Sequence, residues 1–555
     1  MKADEARTVV YLPAPRLLER LNAGLFTAQI LVILFVAAVL RLNNITQPLT
    51  DVFSWRQTST AMMADNYFRK DANIFFPEVS WSGPGPSYQG REFQTVSYLA
   101  ALIYRVVGQQ DWVGRGIAVL FSLWGIFALY QLVRCVWDEP HAVASALMLA
   151  LLPGAIFIDR SFLPDPAMLS LVITSLWMLA VYAQTERPRY LVLACFFAAW
   201  GFLSKLPGAL VALPMLYMLI AIFGLKRLTE PRRLITLLGA AILTLAPVIA
   251  YYLWARHLAL SYPPYHFAGS GNWIWVDGLG KWWDQGYFLS RSFTNFYYWL
   301  WTWPIMGLAA IGLLFGPLAA RSIQSAPTSS STPVEPRRAP WLFHWWLFGC
   351  ILFYLIGARE LVENPWNFHL FNPPVAVLAG HALVLIWSFG HSRVRNLATA
   401  ARFGVILLIV VVVGHGVLKT MYKPEHAAQS YRMGLALREM TQPGDLVVTL
   451  ANDIGDPVAI YYSQRRGWVF PPADTDRAWN ELPASDDESI LLFDQLRTQG
   501  AGWFGVVNER KKDFWVDHPK LVEYINRTCE FKIKTDDYVI YRIRNPEEVA
   551  KLPNQ

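Results

Sequence analysis

Four short segments carry residue types suited to proton transfer or anion binding. The first, Asp51-Val52-Phe53-Ser54-Trp55-Arg56-Gln57, places a carboxylate, a guanidinium and an indole close together. Such a carboxylate could take a proton from a hydroxyl, and the arginine could hold an anion by two-point contact. The same residues would also suit an interfacial anchor, with Trp55 and Arg56 at headgroup level and Asp51 capping a helix that opens at Ser54. The second group is Asp159-Arg160 with Asp165, inside a run, 142–183, that is otherwise nearly uncharged. A polar hairpin tip would account for some of this, but tips are usually Gly, Ser or Asn. The third is Lys205, just before Pro207-Gly208. It would either snorkel to phosphate headgroups or neutralise a bound phosphate. The fourth is Glu363-Asn364-Pro365-Trp366-Asn367-Phe368-His369, followed by Asn372-Pro373-Pro374, where an aromatic belt also explains Trp366.

The elements that hold these residues are mostly apolar. The 555-residue chain is 54% hydrophobic and 16% charged, with 24 Trp, which weighs against a purely soluble protein. Apolar runs near the about 20 residues that span a bilayer recur through the first 420 positions, for example 26–40, 237–254 and 403–418. The net charge of +7 does not point to nucleic acid, because Lys and Arg sit in short clusters between apolar runs. Those clusters are at Arg134, Arg187 and Arg189, Lys226 to Arg233, Arg321, Arg337 and Arg338, and Arg393 and Arg395. With the N-terminal segment 1–24 cytoplasmic and its first run a retained anchor, placing each cluster inside gives about eleven transmembrane helices. One continuous span over 142–183 is excluded, since three charges would cost roughly 2.5–3.5 kcal/mol each and Pro164 and Pro166 break a helix. Two spans of about 17 and 18 residues fit instead. The run 94–108 is too short and contains Arg105, so it reads as interfacial or re-entrant rather than spanning.

This topology gives a membrane domain over 25–420, with large outer loops at 43–111 and 256–295, a shorter one at 359–372, and a Ser/Pro/Thr linker inside at 322–340. Residues 421–555 differ in kind. A helix-like piece at 430–440 and strand-like runs at 445–450, 502–507 and 538–543 indicate a small α/β domain on the outer side. The triplet 526–528 fits a glycosylation sequon. The four cysteines have no metal-ligand or disulfide spacing.

All four polar segments fall on the outer side at bilayer depth, and in this order they resemble the GT-C class of membrane glycosyltransferases. The nearest likeness is to bacterial relatives of protein mannosyltransferases and of the aminoarabinose transferases that modify lipid A. Asp51 and Trp55 match that class's first-loop Asp-Glu-x-x-aromatic motif, with Val52 in place of Glu. Gly90-Arg91-Glu92-Phe93-Gln94 resembles the Glu motif before its interfacial helix, without the prolines. Arg160 to Asp165, Ser204 to Gly208 and Trp366 to Pro374 look like its later motifs. The resemblance covers about 25–390 and leaves out the C-terminal domain.

It implies an α-helical polytopic membrane protein of the bacterial inner membrane, with its active site and C-terminal domain on the periplasmic side. The implied activity is inverting transfer of a sugar from a polyprenyl-phosphate donor to a glycan, lipid or protein acceptor. Asp51 would be the general base, with Arg160 and Lys205 as leading phosphate partners. Trp55, Arg56, Glu92, Asp159, Asp165, Trp366 and His369 complete the candidate substrate site, with Arg56 expected beside Asp51. Asp51, Glu92, Asp159 and Asp165 offer hard oxygen ligands to a divalent cation, though no spacing demands one. The competing reading is a lipid-linked oligosaccharide flippase or transporter, which would place its ionisable groups at the bilayer midplane and has no use for a large outer loop that opens on an aspartate. Sidedness is testable with single cysteines at Ser329 and Ser485: an impermeant reagent applied to intact cells is expected to label the second and not the first. Equal labelling would contradict the topology.

Overall fold

The computed structural model describes residues 17–266, 292–317, 338–389, 426–451, 455–472 and 482–550, with Trp273 and isolated positions between 399 and 414. The chain opens with α1 (Leu17–Leu42), α2 (Ser54–Arg69) and α3 (Thr95–Val107). α4 (Asp111–Val136), α5 (Glu139–Leu151), α6 (Pro153–Asp159), α7 (Asp165–Thr185) and α8 (Pro188–Ser204) follow. A 3-10 turn at Leu206–Val211 leads into α9 (Ala212–Phe223), and α10 (Pro231–Ser261) is the longest described helix. α11 (Trp303–Phe315), α12 (Leu342–Glu363), a 3-10 turn at Pro365–Phe371 and α13 (Asn372–Phe389) close the helical part.

Among the described residues, five segments are long and apolar enough to cross a bilayer: Asp111–Val136, Asp165–Thr185, Leu206–Phe223, Pro231–Ser261 and Pro365–Ser388. The pair α5 and α6 adds a sixth, bent by 67°. Pro153 explains the bend, because it cannot donate to the preceding turn and forces Leu152 into an extended conformation. α7 is buried almost all round and forms the hub, whereas α10 turns Leu234, Ile235, Leu238, Ile242, Ile249 and Leu253 outward. A continuous apolar outer face suits lipid rather than water. α3, with 13 residues, is about 20 Å long and cannot cross a hydrocarbon core of about 30 Å. It buries Val96, Ala100 and Tyr104 and exposes Leu102, Ile103 and Val106, so it lies as a two-faced surface helix. The run 403–418 falls almost wholly outside the described residues, as do most of the linker 322–340 and of the loop 256–295.

The C-terminal part is a five-stranded sheet in the order β2-β1-β3-β5-β4. Its strands are β1 (Leu446–Leu450), β2 (Arg466–Val469), β3 (Ala501–Val507), β4 (Cys529–Lys534) and β5 (Tyr538–Ile543). β1 runs parallel to β2 and β3, and β5 antiparallel to β3 and β4. β2 and β4 have no counterpart in the strand-like runs of the sequence. The period of two along a strand decides what each residue packs against. Val447, Val469 and Ile540 join one core with α14 (Ala428–Met440) and α15 (Val458–Ser463). Val448, Phe470 and Tyr541 join the other with α16 (Asp486–Thr498) and α17 (Pro519–Thr528). The first core is shared with α2, α3 and α4, so the sheet is continuous with the helical part. The sequon triplet lies within α17, where Thr528 is buried and its hydroxyl donates to Tyr524 O at 2.7 Å. A buried helical threonine leaves no surface loop for a glycan.

Candidate functional site

Asp51 sits in the turn between α1 and α2, 4% exposed. Arg115 Nη2 donates to its Oδ2 at 3.1 Å and Gln47 Nε2 at 3.2 Å, while Gln57 Nε2 donates to Oδ1. Gln57 is itself fixed, because its Oε1 accepts from Phe162 N at 3.1 Å. Asp51 does not cap α2: the residue before the helix is Phe53, and no side chain caps there. Phe53 holds φ 65° and ψ 28°, a left-handed conformation that strains a bulky residue by about 1–3 kcal/mol. Its ring packs edge-on against Trp366 at 5.1 Å, and Trp55 meets the same indole at 5.7 Å. An apolar cleft bounded by Val52, Phe53, Phe157, Leu300 and Trp366 opens beside Gln57.

Arg56 is not beside Asp51, as the sequence suggested. One turn into α2, it faces the loop before α3 and donates to Glu92 Oε1 at 2.8 Å. Arg115 takes its place, fully buried and also bonded to the carbonyls of Gln47 and Pro48. Glu92 is further held by its backbone, whose carbonyl accepts from Tyr251 Oη at 2.8 Å. Burial acts to raise the Glu92 carboxyl, but Arg56, Lys205 and Arg91 outweigh it and hold it at about 2.

Asp159 ends α6 at the centre of a buried network. Arg41, at the end of α1, donates to Oδ2 through Nε at 3.1 Å and Nη2 at 2.8 Å, and Ser122 Oγ donates to the same oxygen at 2.7 Å. His369 Nε2 lies 3.0 Å from Oδ1. The amide of Asn372 fixes the tautomer: its Oδ1 accepts from Trp301 Nε1 at 2.8 Å, which leaves Nδ2 to face His369 Nδ1 at 2.9 Å. Nδ1 is then the acceptor, and the ring proton sits on Nε2, toward Asp159. Arg160, 2% exposed, turns away and donates to Asn44 O at 3.0 Å. Asp165, 1% exposed, opens α7 and receives Lys205 Nζ on Oδ1 at 2.7 Å; the same ammonium donates to Asn367 Oδ1 at 2.8 Å.

The expected residues thus gather around the C-terminal ends of α1, α6 and α8 and the N-terminal ends of α4 and α7, but not as one cluster of carboxylates. Each of the four has its own cation: Asp51 with Arg115, Glu92 with Arg56, Asp159 with Arg41, and Asp165 with Lys205. No group of three His, Cys, Asp or Glu among the described residues is placed to hold a divalent ion. Arg41 and Arg115 escaped the sequence reading, whereas Asn367 and Asn372 stand in the fourth segment without an assigned role. Arg115 was the detectable one, since it is a lone charge in the apolar run 112–133, near its start.

Residues 95–254 match the family described as dolichyl-phosphate-mannose-protein mannosyltransferase. The fold resembles that of ArnT from Cupriavidus metallidurans in the apo state, with a TM-score of 0.57 and 15% identity over 94% of this chain and 98% of that one. The same enzyme bound to undecaprenyl phosphate gives a TM-score of 0.55 at 14% identity, covering 94% and 97%. The archaeal oligosaccharyltransferase AglB from Archaeoglobus fulgidus, in complex with an inhibitory peptide and a dolichol-phosphate, gives 0.56 at 13% identity, covering 92% and 73%. No curated protein sequence matches the chain. The chain has the GT-C fold and resembles the protein mannosyltransferases and ArnT.

The Lys205 pair makes a direct test of what that lysine does. Lys205→Met alone leaves Asp165 buried without its cation, and stability is expected to fall by about 3–5 kcal/mol. Lys205→Met with Asp165→Asn is expected to recover most of the loss, which leaves any remaining defect in turnover to be read as a substrate contact. Thermal unfolding of both purified variants checks this, and a single variant as stable as wild type would contradict the pairing.

Proposed function

We propose that this chain is a membrane glycosyltransferase of about eleven spans that moves a sugar from a polyprenyl-phosphate donor to an acceptor at the periplasmic face of a bacterial inner membrane. The observation that carries this reading is Asp51, a buried carboxylate fixed by Arg115, Gln47 and Gln57 at the outer end of α1. Oδ1 takes only the Gln57 amide among the described contacts, and a carboxylate oxygen can accept twice. Its remaining lone pair is available to an acceptor hydroxyl.

The step follows from this arrangement. Asp51 takes the hydroxyl proton as the acceptor oxygen attacks the sugar carbon. The bond from that carbon to the phosphate oxygen breaks on the opposite face, and the polyprenyl phosphate leaves with the electron pair. Inversion results from the direct displacement. A leaving phosphate needs positive charge, and Arg56, Arg91 and Lys205 all act on Glu92, with Asp165 and Glu360 as the further carboxylates beside them. In this reading the three cations mark the phosphate end of the site. Arg160, bonded through Nη2 to the Asn44 carbonyl, is a further phosphate partner in this reading. The cleft walled by Phe53, Phe157, Leu300 and Trp366 supplies an apolar surface next to the base.

Asp51→Asn tests the base. Asparagine keeps the size of the side chain and one acceptor oxygen but cannot take the proton, so turnover is expected to fall at least about a hundredfold. Donor affinity should stay within a few fold, because the phosphate contacts lie elsewhere. Arg115 loses its counter-charge in this variant, so unfolding is measured on the same sample. Near-normal sugar transfer by the folded variant would remove Asp51 from the mechanism.

A further inference from the structure

One hydroxyl outside the helical part touches both sides of the Asp51 pair. Tyr462, in α15, accepts from Leu49 N at 2.7 Å and donates to Asp111 Oδ2 at 2.6 Å. Leu49 is two residues before Asp51. Asp111 begins α4 and lies one turn before Arg115 on the same helix face, the cation that holds Asp51. Beside this contact, Ala427 N donates to Thr50 O at 2.9 Å, so the backbone on either side of Leu49 is held from the C-terminal domain.

The surroundings leave the phenol little freedom. Tyr431 packs edge-on to its ring at 4.6 Å and Tyr461 at 4.9 Å. Tyr461 also donates to Asp111, on the other carboxylate oxygen, at 2.8 Å. Burial, and after it the Asp111 carboxylate, push the Tyr462 phenol well above its ordinary range, so at neutral pH the proton stays on the oxygen. A phenol with one proton can then do only one thing here: donate to the carboxylate and accept from the amide.

The domain that carries Tyr462 is itself fixed to the first loop. The stretch 80–83 pairs with β2 through Gly467 N to Ser80 O at 3.0 Å and Gly83 N to Gly467 O at 2.7 Å, and so covers the edge of the sheet. Arg466 fastens the same stretch by donating to Gly83 O at 3.1 Å and to the Glu78 carboxylate.

We propose that the C-terminal domain is a clamp on the base, and that Tyr462 is the positioning residue through which it sets the Asp51 loop against Arg115. This rests on the glycosyl-transfer reading above. Misplacing a reacting group by an ångström costs rate far more than it costs binding. The clamp therefore acts on turnover and leaves the donor affinity alone.

Tyr462→Phe in the full-length protein removes the hydroxyl and keeps the ring. Hydrogen exchange at the Leu49 amide is expected to speed up at least about tenfold, since its acceptor is gone. On polyprenyl-phosphate sugars, kcat is expected to fall at least about tenfold with the donor KM within about twofold. Unchanged exchange at Leu49 would overturn the clamp, and faster exchange with unchanged kcat would overturn its role in positioning the base. A wild-type protein that transfers no sugar would instead overturn the glycosyl-transfer reading, and the exchange result alone would then decide the clamp. Should Tyr462→Phe fail to fold, Asp111→Asn, which removes one of the two tyrosine acceptors, is read in the same two assays and is expected to shift both in the same direction.

Discussion

A buried carboxylate is tolerated only with a counter-charge in contact, because the low dielectric makes an unpaired ion cost several kcal/mol. Here four carboxylates meet that requirement with four cations, and each partner is contributed by a different element. Arg41 from α1 reaches Asp159 at the end of α6, and Arg115 from α4 reaches the turn that holds Asp51. Arg56 from α2 reaches Glu92 in the loop before α3, and Lys205 after α8 reaches Asp165 at the start of α7. The pairs are thus cross-links between helices as well as the electrostatics of the site. Removing one member leaves the other exposed to the full penalty, so none can change alone without disturbing the packing. Asp159 shows how far this reaches, since Trp301, Asn372 and His369 continue its network across the helical bundle.

Asp159 and Asp51 are held alike, each with a cation on Oδ2 and a single contact on Oδ1, from His369 and from Gln57 respectively. Their surroundings differ: Gln57, the partner of Asp51, lines the apolar cleft together with Val52, Phe53 and Trp366. The strained backbone at Phe53 belongs to this difference: it turns the chain just after Asp51 and holds the ring on Trp366 rather than letting α2 begin earlier. The C-terminal sheet domain then bears on the same turn through Tyr462, so the helical part and the C-terminal part meet where Asp51 is held.

Much of this was legible in the sequence, for physical reasons. Apolar runs near bilayer length mark helices whatever their partners, and the charges inside them stand out because they are costly there. The start of α7 at Asp165-Pro166 follows from what proline does to a helix, whereas the break at Pro153 was not among the expectations. Partners were a different matter. Arg56 is near Asp51 in sequence, but a helix begins between them and points Arg56 toward Glu92, whereas Arg115 arrives from another helix 64 positions away. Arg41 at the end of an apolar run drew no reading from the sequence, and only the close approach of α6 reveals it as the cation of Asp159. β2 and β4 went unseen because Arg466–Val469 is short and Cys529–Lys534 carries charges and stands at the sheet edge, leaving no clean alternation to read.

The donor proposed for this site is a polyprenyl-phosphate sugar. Purified wild-type protein incubated with lipid-linked sugars extracted from a bacterial membrane, with free polyprenyl phosphate followed by mass spectrometry, tests it directly. The account predicts that one sugar-bearing polyprenyl phosphate is consumed as polyprenyl phosphate appears, and that the sugar turns up on an acceptor. Movement of intact lipid-linked sugar across a vesicle membrane, with no polyprenyl phosphate released, would contradict it.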